Sequence, residues 1–259
     1  MKEMPDITEI STEDFMQVRN PHNPAEMNKM KKATPARIGI GRCGSRYTTD
    51  AQIRFLAAHA AANDAVFCEV PDEVVANLGV FEVRTKCSDK NEMLQRPDFG
   101  RVIEPEELEK ISRNCLHNPD VQIYFGDGLC APSIQANIPD LYPAIHMGLT
   151  DRGIIVGTPF FVRYCRVNTA RIVGPALGAK VTCVLIGERP GLLTSECMSA
   201  YIAYNARPDM SESDYTVVSN ISRHGIPPVE AAAHIVDLIA RILKEKKSGV
   251  SLRAGENYL

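Results

Sequence analysis

The chain has 259 residues, of which 44% are hydrophobic and 24% charged, enough for one large α/β domain or two smaller ones with buried cores. Its formal net charge of −3 gives no broad basic surface, which argues against nucleic acid or an anionic membrane as a partner. No apolar run reaches the roughly 18 residues of a membrane-spanning helix, and the first residues lack the apolar core of a secretory signal, so we expect a cytoplasmic protein.

The eight cysteines are scattered along the sequence, and no pair has the C-x-x-C spacing of a zinc module or a redox dithiol. Cys165 and Cys183 lie within apolar runs, where a thiol behaves as a small hydrophobic side chain. We therefore expect reduced, packed thiols, as in a cytoplasmic protein, and no metal ligands.

Residues 1–35 are polar and contain prolines at four positions, Pro5, Pro21, Pro24 and Pro35. Prolines at this density interrupt helices and strands, so the segment is interpreted as an N-terminal arm with one or two short helical turns. Two outcomes stay open for this arm: it orders against another surface, or it is a flexible tail.

Residues 36–118 are interpreted as a mainly helical N-terminal domain. A helix capped by Thr49 and Asp50 has one small, apolar face that permits close packing, formed by Ile53, Leu56, Ala57, Ala60 and Ala61. Further helices are predicted at 72–78 and 105–116, with a short alternating strand at 80–84 between them.

A glycine-rich stretch at the start of this region resembles a nucleotide-binding motif. Gly39, Gly41 and Gly44 match G-x-G-x-x-G, in which glycines let the backbone approach a pyrophosphate at a helix N-terminus. However, no buried strand precedes the glycines, and the next helix begins only after Thr49 and Asp50. A loop that turns the chain is the favoured interpretation, with NAD binding as the alternative.

At Asn118–Asp120 the pattern changes, and residues 119–259 alternate strands with helices. Apolar runs predict a strand that begins at Val121 and ends in the turn Gly126–Gly128, and further strands at 154–167, 181–186, 198–204 and 216–221. The last helix begins at Pro227 and Pro228, carries a continuous apolar stripe and ends before Gly249. This alternation predicts an α/β fold, with a Rossmann-like parallel sheet in the C-terminal domain.

Several polar residues follow the predicted strands, where open α/β sheets bind their ligands. They are Asp127, Arg166, Glu188, Arg189, Ser222 and His224. The sequence contains no G-x-S-x-G elbow, H-E-x-x-H motif or Walker loop that would add a reaction. The residues themselves therefore predict a binding domain without a catalytic constellation.

A series of motifs in order gives the chain a family resemblance. They are TPARIGIGRCG at 34–44, SDKNE at 88–92, RPDFGR at 96–101, NPDVQ at 118–122, GDGL at 126–129, VGTPFFVRY at 156–164, GERPGL at 187–192 and PPVEAAA at 227–233. Together they resemble the small (light) subunit of ethanolamine ammonia-lyase. The resemblance extends from about residue 20 to the C-terminus.

The resemblance implies a subunit of an adenosylcobalamin enzyme that converts ethanolamine to acetaldehyde and ammonia. In that family the large subunit holds the substrate, and the small subunit closes over the cobalamin, so no catalytic residue is expected here. The cobalamin contacts of the family fall on Val167, Glu188 and Val217. The family has Cys where this chain has Val217, which favours a backbone or packing contact there. We expect the turns after two neighbouring parallel strands, near Val167 and Glu188, to form a lid on the corrin.

The resemblance also bears on the ligands of cobalt and on the cellular location, and it leaves alternative functions open. The D-x-H-x-x-G motif that supplies a cobalt ligand in many cobalamin proteins is absent, so neither His146 nor His224 is expected to bind the metal. Both the cytoplasm and a bacterial microcompartment stay open as locations. A NAD-binding oxidoreductase that uses Gly39, Gly41 and Gly44, or a purely architectural subunit, remains the alternative.

Overall fold

The computed structural model describes residues 16–34 and 36–253, which divide into two compact units. The first unit comprises the described residues up to Asp64 together with Gly191–Thr194, and the second comprises Ala65–Pro190 and residues 195–253. Residues 1–15 of the predicted arm lie outside the described residues. The division of the chain at residues 35 and 118 stays a prediction.

The first unit contains a short helix, a hairpin and most of a long helix. These elements are α1 (Pro24–Lys32), β1 (Arg42–Cys43), β2 (Arg46–Tyr47) and α2 (Thr49–Phe67). The side chain of Asn23 caps α1 by accepting a 3.2 Å hydrogen bond from the backbone N–H of Glu26. Lys31 is buried, and its Nζ donates a 3.2 Å hydrogen bond to the carbonyl of Ile38, which ties α1 to the segment that leads into the hairpin.

The glycine motif does not form a dinucleotide-binding loop. Gly44 adopts a φ of 63° in the turn of the β1–β2 hairpin, and Gly41 lies directly before β1. A Cβ atom at Gly41 would lie 2.8 Å from the Thr48 hydroxyl, so this glycine is explained by close packing. A dinucleotide fingerprint needs a strand–turn–helix unit in a parallel sheet, whereas these glycines belong to an antiparallel hairpin. The alternative interpretation, in which Gly39, Gly41 and Gly44 form an NAD-binding loop, is therefore wrong.

The predicted apolar face of α2 is largely exposed. Ile53 is 48% exposed and Leu56 is 55% exposed, and Ala60 on the same face is also exposed. The helix and its apolar pattern are confirmed, but the described residues of this chain do not cover that face. Large apolar side chains that stay exposed together indicate an interaction surface.

The second unit is a mixed α/β structure built on a six-stranded sheet. Its helices are α3 (Asp72–Asn77), α4 (Lys90–Gln95), α5 (Pro105–Asn114), α6 (Pro132–Thr150), α7 (Ala170–Leu177), α8 (Pro228–Glu245) and α9 (Val250–Arg253). Its strands are β3 (Phe81–Arg84), β4 (Val121–Gly126), β5 (Phe160–Arg163), β6 (Val181–Gly187), β7 (Met198–Tyr204) and β8 (Thr216–Ile221). The strand order is β3-β5-β4-β6-β7-β8.

The sheet is mostly parallel and covered on both faces. Strands β3, β5, β4 and β6 run parallel, whereas β7 is antiparallel to both of its neighbours. Every residue of β4 and β6 is buried, because α6 and α8 pack on one face and α5 and α7 on the other. Two covered faces explain why these strands have continuous apolar sequences instead of alternating ones. The predicted mixed α/β class is confirmed.

Two expectations about the central stretch are corrected. Strand β5 is shorter than the apolar run at 154–167, because Pro159 has no N–H for a ladder and the chain before it makes only an isolated parallel bridge between Val156 and Val121. Strands β5 and β6 are also not neighbours, since both pair with β4, which lies between them. None of the helices within residues 16–34 and 36–253 combines the length and the apolar character that a membrane span requires.

Candidate functional site

Glu188 lies directly after β6, at the edge of the sheet where the parallel strands end. Its backbone N–H donates a 2.9 Å hydrogen bond to the carbonyl of Cys197, which continues the pairing with the chain that leads into β7. Its carboxylate accepts a 2.6 Å hydrogen bond from the hydroxyl of Tyr201. Glu188 is half-buried, whereas Arg189 beside it is exposed. Both the backbone and the carboxylate of Glu188 are therefore held in place.

Val217 lies on the neighbouring strand, opposite the residue that holds Glu188. Val217 of β8 is the register partner of Tyr201 of β7, and Tyr201 is in turn the register partner of Val184 of β6. Register partners project their side chains on the same face of a sheet. The side chain of Val217 is only partly buried, so part of it remains accessible.

Val167 comes to the same region of the sheet edge from β5, which lies on the other side of β4 from β6. It begins a short 3-10 turn, Val167–Thr169, which leads from the end of β5 into α7. Val167, Tyr201 and Val217 all pack against one small cluster, formed by Ala170, Ala203, Ala206, Met210 and Tyr215. Glu188 is hydrogen-bonded to Tyr201, Val217 is its register partner, and Val167 packs against the same cluster as Tyr201, although the three residues come from segments far apart in sequence.

Tyr201 links the predicted residues, although no motif or spacing in the sequence indicates it. It is half-buried, and its ring contacts Tyr215 edge-on with 6.1 Å between ring centroids. Burial, followed by its hydrogen bond to Glu188, raises the pKa of Tyr201 above the ordinary value of 10.0, so its hydroxyl remains a donor at neutral pH. The only available signal was an aromatic residue with a polar end in a buried strand, which usually finds a hydrogen-bond partner.

Asp127, expected at the accessible edge, is instead buried and supports the backbone. Its carboxylate accepts hydrogen bonds from the backbone N–H groups of Tyr164 at 2.9 Å and Cys165 at 2.8 Å. Lys90 is also buried, with its Nζ 3.9 Å from the Asp127 carboxylate and 2.7 Å from the carbonyl of Gly128, to which it donates. Burial raises the pKa of Asp127, while Lys90 and the backbone donors oppose that rise. This pair fixes the turn after β5, where Tyr164 has a φ of 58°.

The remaining predicted edge residues have separate environments. Ser222 is fully buried, and within the described chain its hydroxyl has no hydrogen-bond partner. His224 is exposed and contacts the neighbouring Arg223, whose Nε lies 3.1 Å from the His224 ring nitrogen. Arg166 is half-buried and lies between the end of β5 and Val167. Neither Ser222 nor His224 belongs to the cluster around Tyr201.

The chemistry of this arrangement is that of a contact surface. Two partly buried valines provide apolar area, one oriented carboxylate provides acceptor oxygens, and a protonated tyrosine holds that carboxylate. Within the described residues these groups do not include a nucleophile with an adjacent base, which a reaction of their own would need. The arrangement can therefore pack against a large ligand and accept hydrogen bonds from it.

Comparison with known proteins identifies the family. The family model of the ethanolamine ammonia-lyase light chain (EutC) matches residues 24–253. The ethanolamine ammonia-lyase small subunits of Clostridium tetani and Clostridium perfringens are 49% and 48% identical over 250 residues, which is 96% of this chain and 85% of each relative. The small subunit of Listeria monocytogenes is 45% identical with the same coverage. The chain therefore belongs to the ethanolamine ammonia-lyase light-chain family, as its motifs predicted.

Proposed function

We propose that this chain is the cobalamin-closing small subunit of an ethanolamine ammonia-lyase, which converts ethanolamine to acetaldehyde and ammonia. In this proposal a large subunit carries the substrate site, and the Rossmann-like domain predicted at residues 119–259 contacts adenosylcobalamin through Val167, Glu188 and Val217. The observation that carries the proposal is that Glu188 and Val217 are both joined to Tyr201, while Val167 packs against the same cluster as Tyr201.

Val167, Glu188 and Val217 fit the chemistry of a corrin. A corrin has a broad apolar ring with amide side chains at its periphery, so a surface that receives it needs apolar area and hydrogen-bond acceptors. Val167 and Val217 are partly buried and keep accessible area beside the cluster. The Tyr201 hydroxyl occupies one acceptor position of the Glu188 carboxylate, which has about four such positions in all. Glu188 can therefore also accept hydrogen bonds from corrin amides.

The valine at position 217 fits a packing contact. Its side chain has no polar atom, and its backbone belongs to a ladder with β7. The family resemblance places Cys there, and a buried or half-buried thiol behaves as a small hydrophobic group, so Val preserves the apolar contact. We therefore assign a packing role to Val217, and the polar contact to Glu188.

In this proposal the cofactor and the residues of this chain have different roles. Adenosylcobalamin, held against Val167, Glu188 and Val217, would supply the radical chemistry. Tyr201 orients the carboxylate of Glu188, and Val167 and Val217 provide apolar area for the corrin. Together these residues exclude water from the surface that they cover. Excluding water matters because it protects reactive species from side reactions.

Association with a large subunit is supported by the exposed face of α2. Ile53 and Leu56 are 48% and 55% exposed, and Phe55 beside them is 41% exposed. The relatives are named small subunits, which implies a larger partner. We propose that this apolar face is buried when the two subunits assemble.

The direct test is binding of adenosylcobalamin to the assembled enzyme, followed by its visible spectrum. Val167→Arg places a long cation on the proposed contact surface, and we expect at least a tenfold loss of cobalamin affinity. Val229→Arg is the matched control, because Val229 is 61% exposed on α8, which packs on the opposite face of the sheet. Glu188→Gln is expected to weaken binding less, and Glu230→Gln on α8 serves as its control.

The outcome separates the proposal from its alternative. If Val167→Arg and Glu188→Gln both assemble and both retain cobalamin affinity, the chain is a purely architectural subunit. If the two variants lose affinity while their controls on α8 do not, the contact surface is the cluster around Tyr201.

A further inference from the structure

Arg166 has an environment that its neighbour Arg163 does not share. Arg163 is buried and ion-paired with Glu82, whose carboxylate oxygens also accept its hydrogen bonds, and with Asp72 at 2.9 Å. Arg166, three residues later, makes no ion pair with any described carboxylate, and its Nε is buried without a hydrogen-bond partner in that part of the chain. Its Nη2 makes one long contact, 3.4 Å from the carbonyl of Met93. One arginine of this segment is thus fully paired, and the other is left unpaired.

The position of Arg166 is fixed by close packing against a glycine. Its backbone N–H donates a 2.9 Å hydrogen bond to the carbonyl of Gly100, in the 3-10 turn Phe99–Arg101. A Cβ atom at position 100 would lie 2.8 Å from Cγ of Arg166, so only glycine lets the side chain lie so close to that turn. The backbone and the first part of the Arg166 side chain are therefore held against the turn that contains Gly100, directly before Val167 in the sequence.

The charges around Arg166 make an unpaired guanidinium costly. Burial, and next the positive charge of Arg101, lower the pKa of Arg166. The other titratable groups that face it are Cys87, Cys165 and Asp127. Asp127 is the only carboxylate among them, and its oxygens are already bonded to two backbone N–H groups, with Lys90 beside it. A half-buried cation next to a second cation is stabilised when an anion binds it.

We infer that Arg166, assisted by Arg101, binds a phosphate diester, and that this group is the phosphate in the nucleotide loop of cobalamin. A guanidinium suits this ligand because its planar fork can donate to two phosphate oxygens at once. The assignment rests on the proposed function, since Val167, the residue after Arg166, is one of the proposed corrin contacts. Free inorganic phosphate has similar chemistry and is the other source to be distinguished.

The test compares two corrinoids on the assembled enzyme, with equilibrium dialysis and visible spectra as readouts. Adenosylcobalamin contains the nucleotide loop with its phosphate, and adenosylcobinamide lacks both. Arg166→Gln is expected to weaken adenosylcobalamin binding about 10- to 100-fold and to leave adenosylcobinamide binding unchanged. Arg101→Gln, at an exposed position, is expected to show a smaller loss of the same selectivity. Arg152→Gln, an arginine paired with Asp237, is the control for loss of a charge.

Different results overturn the inference in different ways. Equal weakening of both corrinoids by Arg166→Gln would make Arg166 a structural residue of the turn. Unchanged binding of both by Arg166→Gln and Arg101→Gln would exclude a phosphate contact. If inorganic phosphate binds in an Arg166-dependent manner but does not compete with adenosylcobalamin, the site accepts a free anion and the cobalamin assignment fails.

The same measurement separates this inference from the proposed function. Val167→Arg should weaken both corrinoids, because the ring is common to them. A loss with Val167→Arg and none with the arginine variants would overturn only the phosphate site. No loss with Val167→Arg would overturn the proposed function itself.

Discussion

The hydroxyl of Tyr201 on β7 donates a 2.6 Å hydrogen bond to Oε1 of Glu188, which follows the adjacent antiparallel strand β6. Because Tyr201 also packs against the cluster that Val167 and Val217 contact, this one side chain links the polar and apolar parts of the proposed site. A hydrogen bond to a charged acceptor contributes about 1.5–3 kcal/mol, less at a half-buried position such as this one.

Tyr201→Phe should weaken cobalamin binding without changing the fold. The ring and its packing stay, but Glu188 loses the donor that orients its carboxylate. We expect about a three- to tenfold loss of adenosylcobalamin affinity, measured by spectral titration of the assembled enzyme. Tyr204→Phe is the matched control, because Tyr204 lies on the same strand but packs against the core on the opposite face. Equal effects of the two substitutions would contradict a positioning role for Tyr201.

The buried pair of Lys90 and Asp127 should dominate the stability of the turn after β5. Lys90→Met or Asp127→Asn leaves one buried group without its partner, which typically costs about 3–5 kcal/mol. The double variant should cost less than the sum of the two, because neither charge then remains buried alone. The measurement is urea unfolding of the four proteins. Glu109→Gln, which breaks an exposed pair with Arg113, is the control and should cost under about 0.5 kcal/mol. Simple additivity of the two buried changes would exclude direct coupling.

The protein should lose stability in alkali as buried thiols ionise. Burial raises the pKa of Cys115 and of Cys130 from 9.0 to about 11. Between those values the unfolded chain releases these protons and the folded protein keeps them, so the free energy of unfolding falls as pH rises. Each thiol accounts for on the order of 2 kcal/mol by pH 11, and the stabilisation is fully present below pH 9.

Replacing one of these thiols tests whether thiol ionisation causes the loss of stability in alkali. Cys130→Ala should reduce the fall in unfolding free energy between pH 8 and pH 10.5, even if it also lowers stability at every pH by leaving a cavity. Cys43→Ala, at an exposed position in the hairpin, is the control for the replacement itself. A fall with pH that is the same in Cys130→Ala and in the unmodified protein would assign it to other groups, such as Tyr142, whose pKa burial raises to about 12.

Charges on the exposed face of α2 should weaken assembly of the enzyme. With Ile53→Asp and Leu56→Asp combined, burial of that face would desolvate two carboxylates, so we expect at least a tenfold weaker association with the large subunit. Size-exclusion chromatography with light scattering measures the complex, and circular dichroism checks that the isolated variant is folded. Met147→Asp, at a residue 62% exposed on α6, is the control. A variant that is folded and assembles normally would place the interface elsewhere.

Much of the local structure was predictable from the sequence because it depends on neighbouring residues. Strands β7 and β8 have the predicted bounds, and the predicted strand that begins at Val121 ends at Gly126. Helix α8 begins at Pro228 as the proline and the apolar stripe indicated. The cofactor residues came from motifs alone, and no periodicity in the sequence would have selected Val217.

The sequence by itself determined the α/β class, the family and the apolar runs that become buried strands, because side-chain patterns and motifs are local properties of the chain. Only the tertiary structure decided that β4 separates β5 from β6, that Asp127 supports a buried turn, and that Tyr201 holds Glu188. Those relationships depend on strand order and register between residues far apart in sequence. They result from packing the whole sheet, in which each strand can satisfy its apolar faces beside several possible neighbours.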